Sequence, residues 1–144
     1  MYKFYRLVTA LIFIVVFTST CLAQGQLFTK EEADKKFGPV LNSVNVPVSI
    51  IYSLSNATSN HLMFRVEGNQ AIILDGNRNS LYPSGYQVNS DVVFTNFSVS
   101  MINQLISSNT STFVAVEQRQ SVLSLTFGQT TLEVGAQCPP ICPD

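Results

Sequence analysis

The side chains in this chain with a claim to chemistry are few: His61, three cysteines, and the oxygen-rich run Asp75-Gly76-Asn77-Arg78-Asn79. A nucleophile, base and orienter could be drawn from one of the many serines with His61 and Asp75. No G-x-S-x-G elbow supports that choice, and Pro83-Ser84-Gly85 reads as a turn. His61 falls at the start of a strand, on its wetter face, and is expected to be an unassigned surface histidine. Cys138, Cys142 and His61 would offer three soft ligands where a structural zinc wants four. The Asp75 run opens like a calcium loop, but its sixth position is Ser80 instead of Gly and its twelfth is Tyr86 instead of Glu. It is therefore expected to be a turn. No catalytic residue, metal or cofactor is expected, and an enzyme is the least supported of three functional readings.

The cysteines are placed by the first segment. Lys3 and Arg6 precede the uncharged apolar run Leu7 to Phe17, and Thr18 to Ala23 is small and more polar, the build of a secretory signal peptide cut after Ala23. A membrane anchor would need roughly 20 apolar residues, and a lipoprotein acylated at Cys21 would want different residues ahead of it. The predicted mature chain, Gln24 onward, keeps 121 of the 144 residues, six basic and nine acidic, with two cysteines in an oxidising compartment. Charge is sparse at 12%. Without a basic cluster there is no electrostatic footprint for nucleic acid, nor for a membrane once the signal is removed.

Cys138 and Cys142 are expected to be oxidised, to each other or between chains. Pro139 and Pro140 in polyproline geometry would hold the two α-carbons about 12 Å apart, whereas a disulfide needs less than about 7 Å. An intrachain bond therefore demands a turn or a cis proline. The tail, residues 137–144, reads as a terminal clamp on a single domain spanning residues 24–136.

The elements follow from periodicity. After a short leader at Gln24 to Gln26, Thr29 with Glu32 forms a capping box, Phe28 can staple onto Ala33, and Gly38-Pro39 stops the chain, which predicts a helix over 29–37. Val46, Val48, Ile50 and Tyr52 alternate as a strand, with Pro47 suggesting an edge, and Ser53 to Asn60 reads as a polar loop. Leu62, Phe64 and Val66 alternate with His61, Met63, Arg65 and Glu67, and Gly68-Asn69 turns the chain into Ala71 to Leu74 as a hairpin. Asp75 to Gly85 reads as a loop, with Tyr86 to Val88 and Val92 to Phe94 as short strand candidates. Phe97, Met101 and Leu105, flanked by Val99, Ile102 and Ile106, predict an amphipathic helix over about 96–108, capped by Thr95 or Asn96 and closed by a left-handed Asn109. Thr112 to Glu117, Ser121 to Phe127 and Thr130 to Val134 close the chain as an antiparallel meander, with turns at Gln118 to Gln120 and Gly128-Gln129.

This order predicts an α+β fold, an antiparallel sheet of short strands with the 96–108 helix on one face. A β-sandwich is the alternative, and it would require 97–106 to be strand. The first functional reading is a secreted or periplasmic, non-enzymatic module acting through protein contacts or self-association. Its open sheet edges are expected at Val46 to Leu54 or Thr130 to Val134. The second is a small-molecule or glycan binder using the loop residues Asp75, Asn77, Arg78, Asn79, Tyr82 and Tyr86. Asn56, Asn96 and Asn109 each head an N-x-S/T sequon.

Overall fold

The change of period at Pro47 decides the middle of the molecule. Strand β2 (Asn42–Pro47) ends at this proline, and helix α2 (Val48–Ala57) begins directly after it. Proline has no N–H to leave unpaired and its φ is already near the helical value, here −53°. Val48, Ile51 and Ser55 then fall on one helical face, and Ile51 and Ser55 are buried. The strand expected through Tyr52 and the loop expected from Ser53 are therefore corrected to helix. A run of β-branched residues reads as strand locally, but i, i+3, i+7 burial against a core outweighs that propensity.

The computed structural model describes residues 25–58 and 60–138, with side chains through 135. The expected signal peptide, Pro139, Pro140 and Cys142 lie outside the described residues. The remaining elements are β1 (Gln26–Thr29), α1 (Lys30–Phe37), β3 (His61–Glu67), β4 (Gln70–Asp75), β5 (Ser80–Tyr82), β6 (Phe94–Ser98), α3 (Val99–Ser107), β7 (Phe113–Gln118), β8 (Leu123–Phe127), β9 (Thr130–Glu133) and β10 (Ala136–Cys138). Among the described residues no helix is long and apolar enough to cross a membrane.

The fold is mixed α+β, with two open antiparallel sheets where one was expected. The first runs β1-β9-β8-β7-β2 and the second β10-β6-β3-β4-β5. The chain crosses from one to the other in two residues, Val134 and Gly135, between β9 and β10. One apolar cluster joins the inner faces: Leu62, Phe64, Ala71, Ile73 and Phe97 from the second sheet meet Val114, Val116, Leu125, Phe127 and Leu132 from the first. Helices α2 and α3 sit side by side and add Ile51, Val99, Ile102 and Leu105 to this core.

The outer faces hold the larger surprises. On the second sheet, Met63, Ile72, Leu74 and Phe94 form a separate buried cluster beneath Tyr86, Val88 and Val92. The face of β3 expected to be wet is thus partly dry, and Tyr86 to Val88 is a lid segment instead of a strand. On the first sheet, α1 covers the polar side of the meander, burying Ala33 at the helix and Ser124, Thr126, Thr131 and Glu133 beneath it.

Boundaries moved for local reasons. Helix α3 starts at Val99, capped by Ser98, whose Oγ accepts from the Met101 N–H at 3.3 Å. Phe97 belongs to β6, where it faces the core, and α3 closes on a right-handed Ser108 instead of a left-handed Asn109. The expected loop after Asp75 contains β5, the residues expected to be leader and tail contribute Gln26 to β1 and Gln137 to β10, and β9 lies between β1 and β8. Thr130 to Val134 is consequently not an open edge. The capping box forms as expected, Glu32 Oε2 accepting from the Thr29 N–H at 2.9 Å. Those bonds hold the Glu32 carboxyl below its usual pKa. The Phe28 ring packs edge-on against Phe37 at 5.5 Å.

Candidate functional site

The sheet register gathers the three residue types that could have made a hydrolytic triad. His61 stands opposite Ser98 on β6, and its neighbour Leu62 stands opposite Asp75 on β4. Hydrogen bonding then sends each elsewhere. Ser98 caps α3, and Val99 donates its N–H to the Asn60 carbonyl at 2.8 Å. Asp75 Oδ1 accepts from the N–H groups of Asn77 (2.9 Å) and Asn79 (2.8 Å), and its Oδ2 accepts from Asn79 Nδ2 (2.8 Å). Those three bonds commit the Asp75 carboxylate to the turn at Asn77 and Asn79. His61 is half-buried, and desolvation lowers its pKa, which favours the neutral ring. Among the described residues no three His, Cys, Asp or Glu side chains come together to hold a metal.

His61 does line two hollows. A recess of about 240 Å³ lies between it and the candidate ligand loop, bounded by Asn60, Asp75, Asn77 and Leu81. A shallow groove of about 900 Å³ runs along α3 past Ser98, Ser100, Asn103 and Gln104. The groove offers amides and hydroxyls, a surface suited to hydrogen-bonding a neutral partner, and the recess adds the Asp75 carboxylate to them.

Most of the predicted ligand loop turns inward. Arg78, at φ 65°, donates from one terminal nitrogen to the carbonyls of Asn89 (3.1 Å) and Val92 (2.9 Å) and lies 5.3 Å from the Phe94 ring centre. Arg78 thereby pins the lid segment over the outer cluster. The Tyr86 hydroxyl donates to Glu67 Oε1 at 3.0 Å, and burial with that bond raises its pKa. Tyr82, on β5, packs against the main core. Asp75 and Asn77 line the recess, while Arg78, Asn79, Tyr82 and Tyr86 do not. Cys138 ends β10, and its predicted partner Cys142 lies outside the described residues.

Sequence reasoning misses the densest cluster of charge among the described residues. Arg119, in the turn after β7, is completely buried. Its guanidinium reaches Asp34 Oδ1 on α1 at 2.7 Å and Glu117 Oε2 at 3.3 Å, and it bonds the Gly38 carbonyl at the end of α1. Nε donates to Ser124 Oγ at 3.0 Å. Glu133 Oε1 lies 3.1 Å from the same Nε, yet neither Glu133 oxygen receives a well-directed hydrogen bond. Burial raises the Glu133 pKa. The available signal was one arginine among acidic residues at same-face positions of a meander, Glu117 and Glu133.

No family, no curated protein and no solved structure matches this chain. The first sheet ends in β2, where Asn42, Ser43 and Asn45 are exposed. Pairing with β7 runs from Asn42↔Gln118 to Pro47↔Phe113 without a register shift. The Val48 N–H donates to the Thr112 carbonyl at 3.0 Å, which continues that register and fixes its phase. By alternation, Val46 and Val44 aim their backbone groups at β7, and Ser43 and Asn45 aim theirs outward. Two large apolar side chains flank this edge, Leu41 at 65% exposure and Phe113 at 47%.

Proposed function

We propose that this chain is an exported, non-enzymatic module of the cell envelope or exterior that works through protein contacts made at the β2 edge. The observation that carries the reading is the state of that edge, six residues long, regular and without a charged side chain. Sheet edges in soluble proteins are ordinarily blunted by charge, bulges or a covering element, because bare N–H and C=O groups recruit another strand. Here Pro47 blocks one end and the middle stays available, which suits recognition by strand addition. The groove along α3, lined by hydroxyls and amides without a charged side chain, also supports contact with a partner.

A genetically encoded photo-crosslinker at position 43 or 45, in the producing cells, tests this reading. Adducts are expected from both positions and not from a control at Gln87 on the lid segment. Equal labelling at all three, or none anywhere, would overturn it. The recess between His61 and Asp75 supports a second reading, a small neutral ligand such as a sugar. At about 240 Å³ it is smaller than the ~300–1,000 Å³ of drug-sized sites.

A further inference from the structure

We infer that the partner of the β2 edge is β2 of a second copy, the two strands pairing antiparallel about a two-fold axis at Val44. The inference rests on the protein-contact reading and names its occupant. The other three sheet edges are poorer templates for a strand. β1 has four residues and runs directly into α1, β5 has three and a register irregularity against β4, and β10 has three. β2 is the longest and most regular of the four.

The outward backbone groups of β2 are also self-complementary in one register. Antiparallel pairing of β2 with itself can place Ser43, Val44 or Asn45 on the axis. With Ser43 on the axis, Asn45 falls opposite Leu41, whose N–H is already bound to the Gln118 carbonyl at 2.9 Å. The Asn45 carbonyl would then have no donor. With Asn45 on the axis, Ser43 falls opposite Pro47, which has no N–H, and the Ser43 carbonyl is stranded. With Val44 on the axis, Ser43 pairs with Asn45 of the second copy and Asn45 with its Ser43. All four N–H and all four C=O groups of these residues are then satisfied, as buried backbone groups must be.

The same register sets Leu41 of each copy opposite Pro47 of the other, with Phe113 one strand beyond, since Pro47 pairs with Phe113. The two exposed apolar residues at opposite ends of β2 are thereby brought into two equivalent clusters by one symmetry operation. Charge does not oppose the duplication, because Leu41 to Pro47 and Phe113 carry none. The two five-stranded sheets would become one of ten.

The test is the mass of the purified exported protein by light scattering, with reductant present so that tail cysteines cannot link copies. Protein concentration is taken from about 1 to about 100 µM, the range in which weak specific contacts populate. A shift from one to two chain masses is expected. Asn45→Pro removes an outward N–H without touching the β7 ladder, and it is expected to stay monomeric with an unchanged circular dichroism spectrum. Ser43→Lys, which puts like charges across the axis, is expected to do the same and serves if the proline variant fails to fold. The amide at position 43 should exchange slowly in the wild type and at least tenfold faster in either variant. A wild type monomeric throughout overturns the inference, as does a dimer that survives both substitutions. Photo-crosslinks from position 43 to a different polypeptide, with a monomeric wild type, would sink the homodimer and leave the protein-contact reading standing.

Discussion

Arg119 and Asp34 are 85 positions apart in the chain and meet at 2.7 Å, joining the turn after β7 to the middle of α1. Arg119 is wholly buried, whereas the Asp34 side chain is 47% exposed. The pair closes the polar layer under α1, and the same guanidinium bonds the carbonyl of Gly38 where the helix ends. A two-turn helix has too little internal stability to hold itself, so this contact and the burial of Ala33 hold α1 on the sheet.

Removing the two partners should therefore have unequal effects. Arg119→Met leaves Glu117 and Glu133 buried without a cation and is expected to cost about 3–5 kcal/mol. Asp34→Asn keeps a hydrogen-bond acceptor at a half-exposed site and should cost on the order of 1 kcal/mol or less. Urea unfolding of both variants measures the difference, and equal losses would contradict it.

Glu133 sets a pH dependence of definite sign. Its folded pKa is raised by burial above the ordinary 4.5, so the folded state holds this proton more tightly than the unfolded chain does. Its ionisation destabilises the fold. That penalty is absent below 4.5, grows as pH climbs from 4.5 to the raised folded value, and is complete above it. Glu133→Gln should flatten this part of the stability profile and be relatively more stable at pH 7 than at pH 4. Urea midpoints taken across that range for both proteins check it.

Asp75 is the organiser of the loop beyond β4. Its carboxylate holds two backbone N–H groups and one side-chain amide. Asp75→Ala is expected to speed hydrogen exchange at Asn77 and Asn79 while leaving the β3–β4 hairpin amides protected. It should also widen the recess beside His61. Unchanged protection at Asn77 and Asn79 would show that the turn forms without the carboxylate.

Gly135 makes the passage between sheets. A Cβ there would stand 2.6 Å from Thr95 Cγ2 and 2.8 Å from the Asn96 backbone carbonyl, and the preceding Val134 already sits at φ 63°. Backbone cannot swing aside as a side chain can, so Gly135→Ala is expected to cost about 1–3 kcal/mol. Thermal unfolding measures it. A neutral result would mean that β10 can shift along β6.

Local chemistry wrote several elements plainly enough to read. Thr29 with Glu32 announced α1, Gly68-Asn69 announced the β3–β4 hairpin, and Leu123, Leu125 and Phe127 announced β8 in the meander, because a capping box, a two-residue turn and a period of two are satisfied by neighbours in sequence. Helix α2 was misread because Val48, Ile50 and Ile51 favour strand by themselves. Met63 was assigned to the wet face because nothing nearby in sequence says that Tyr86 and Val92 will cover it.

The letters alone determined the antiparallel hairpins, the amphipathic stripe of α3, the sparse charge and the want of a recognisable catalytic motif. Each is a property of residue type and short-range spacing. Tertiary structure decided that there are two sheets, that β9 is interior and β2 an edge, that Arg119 is buried between α1 and the meander, and that His61, Ser98 and Asp75 are neighbours without cooperating. Those outcomes depend on which distant surfaces cover one another, and the residues alongside signal them only in part, Pro47 for the edge and Glu117 for the buried arginine.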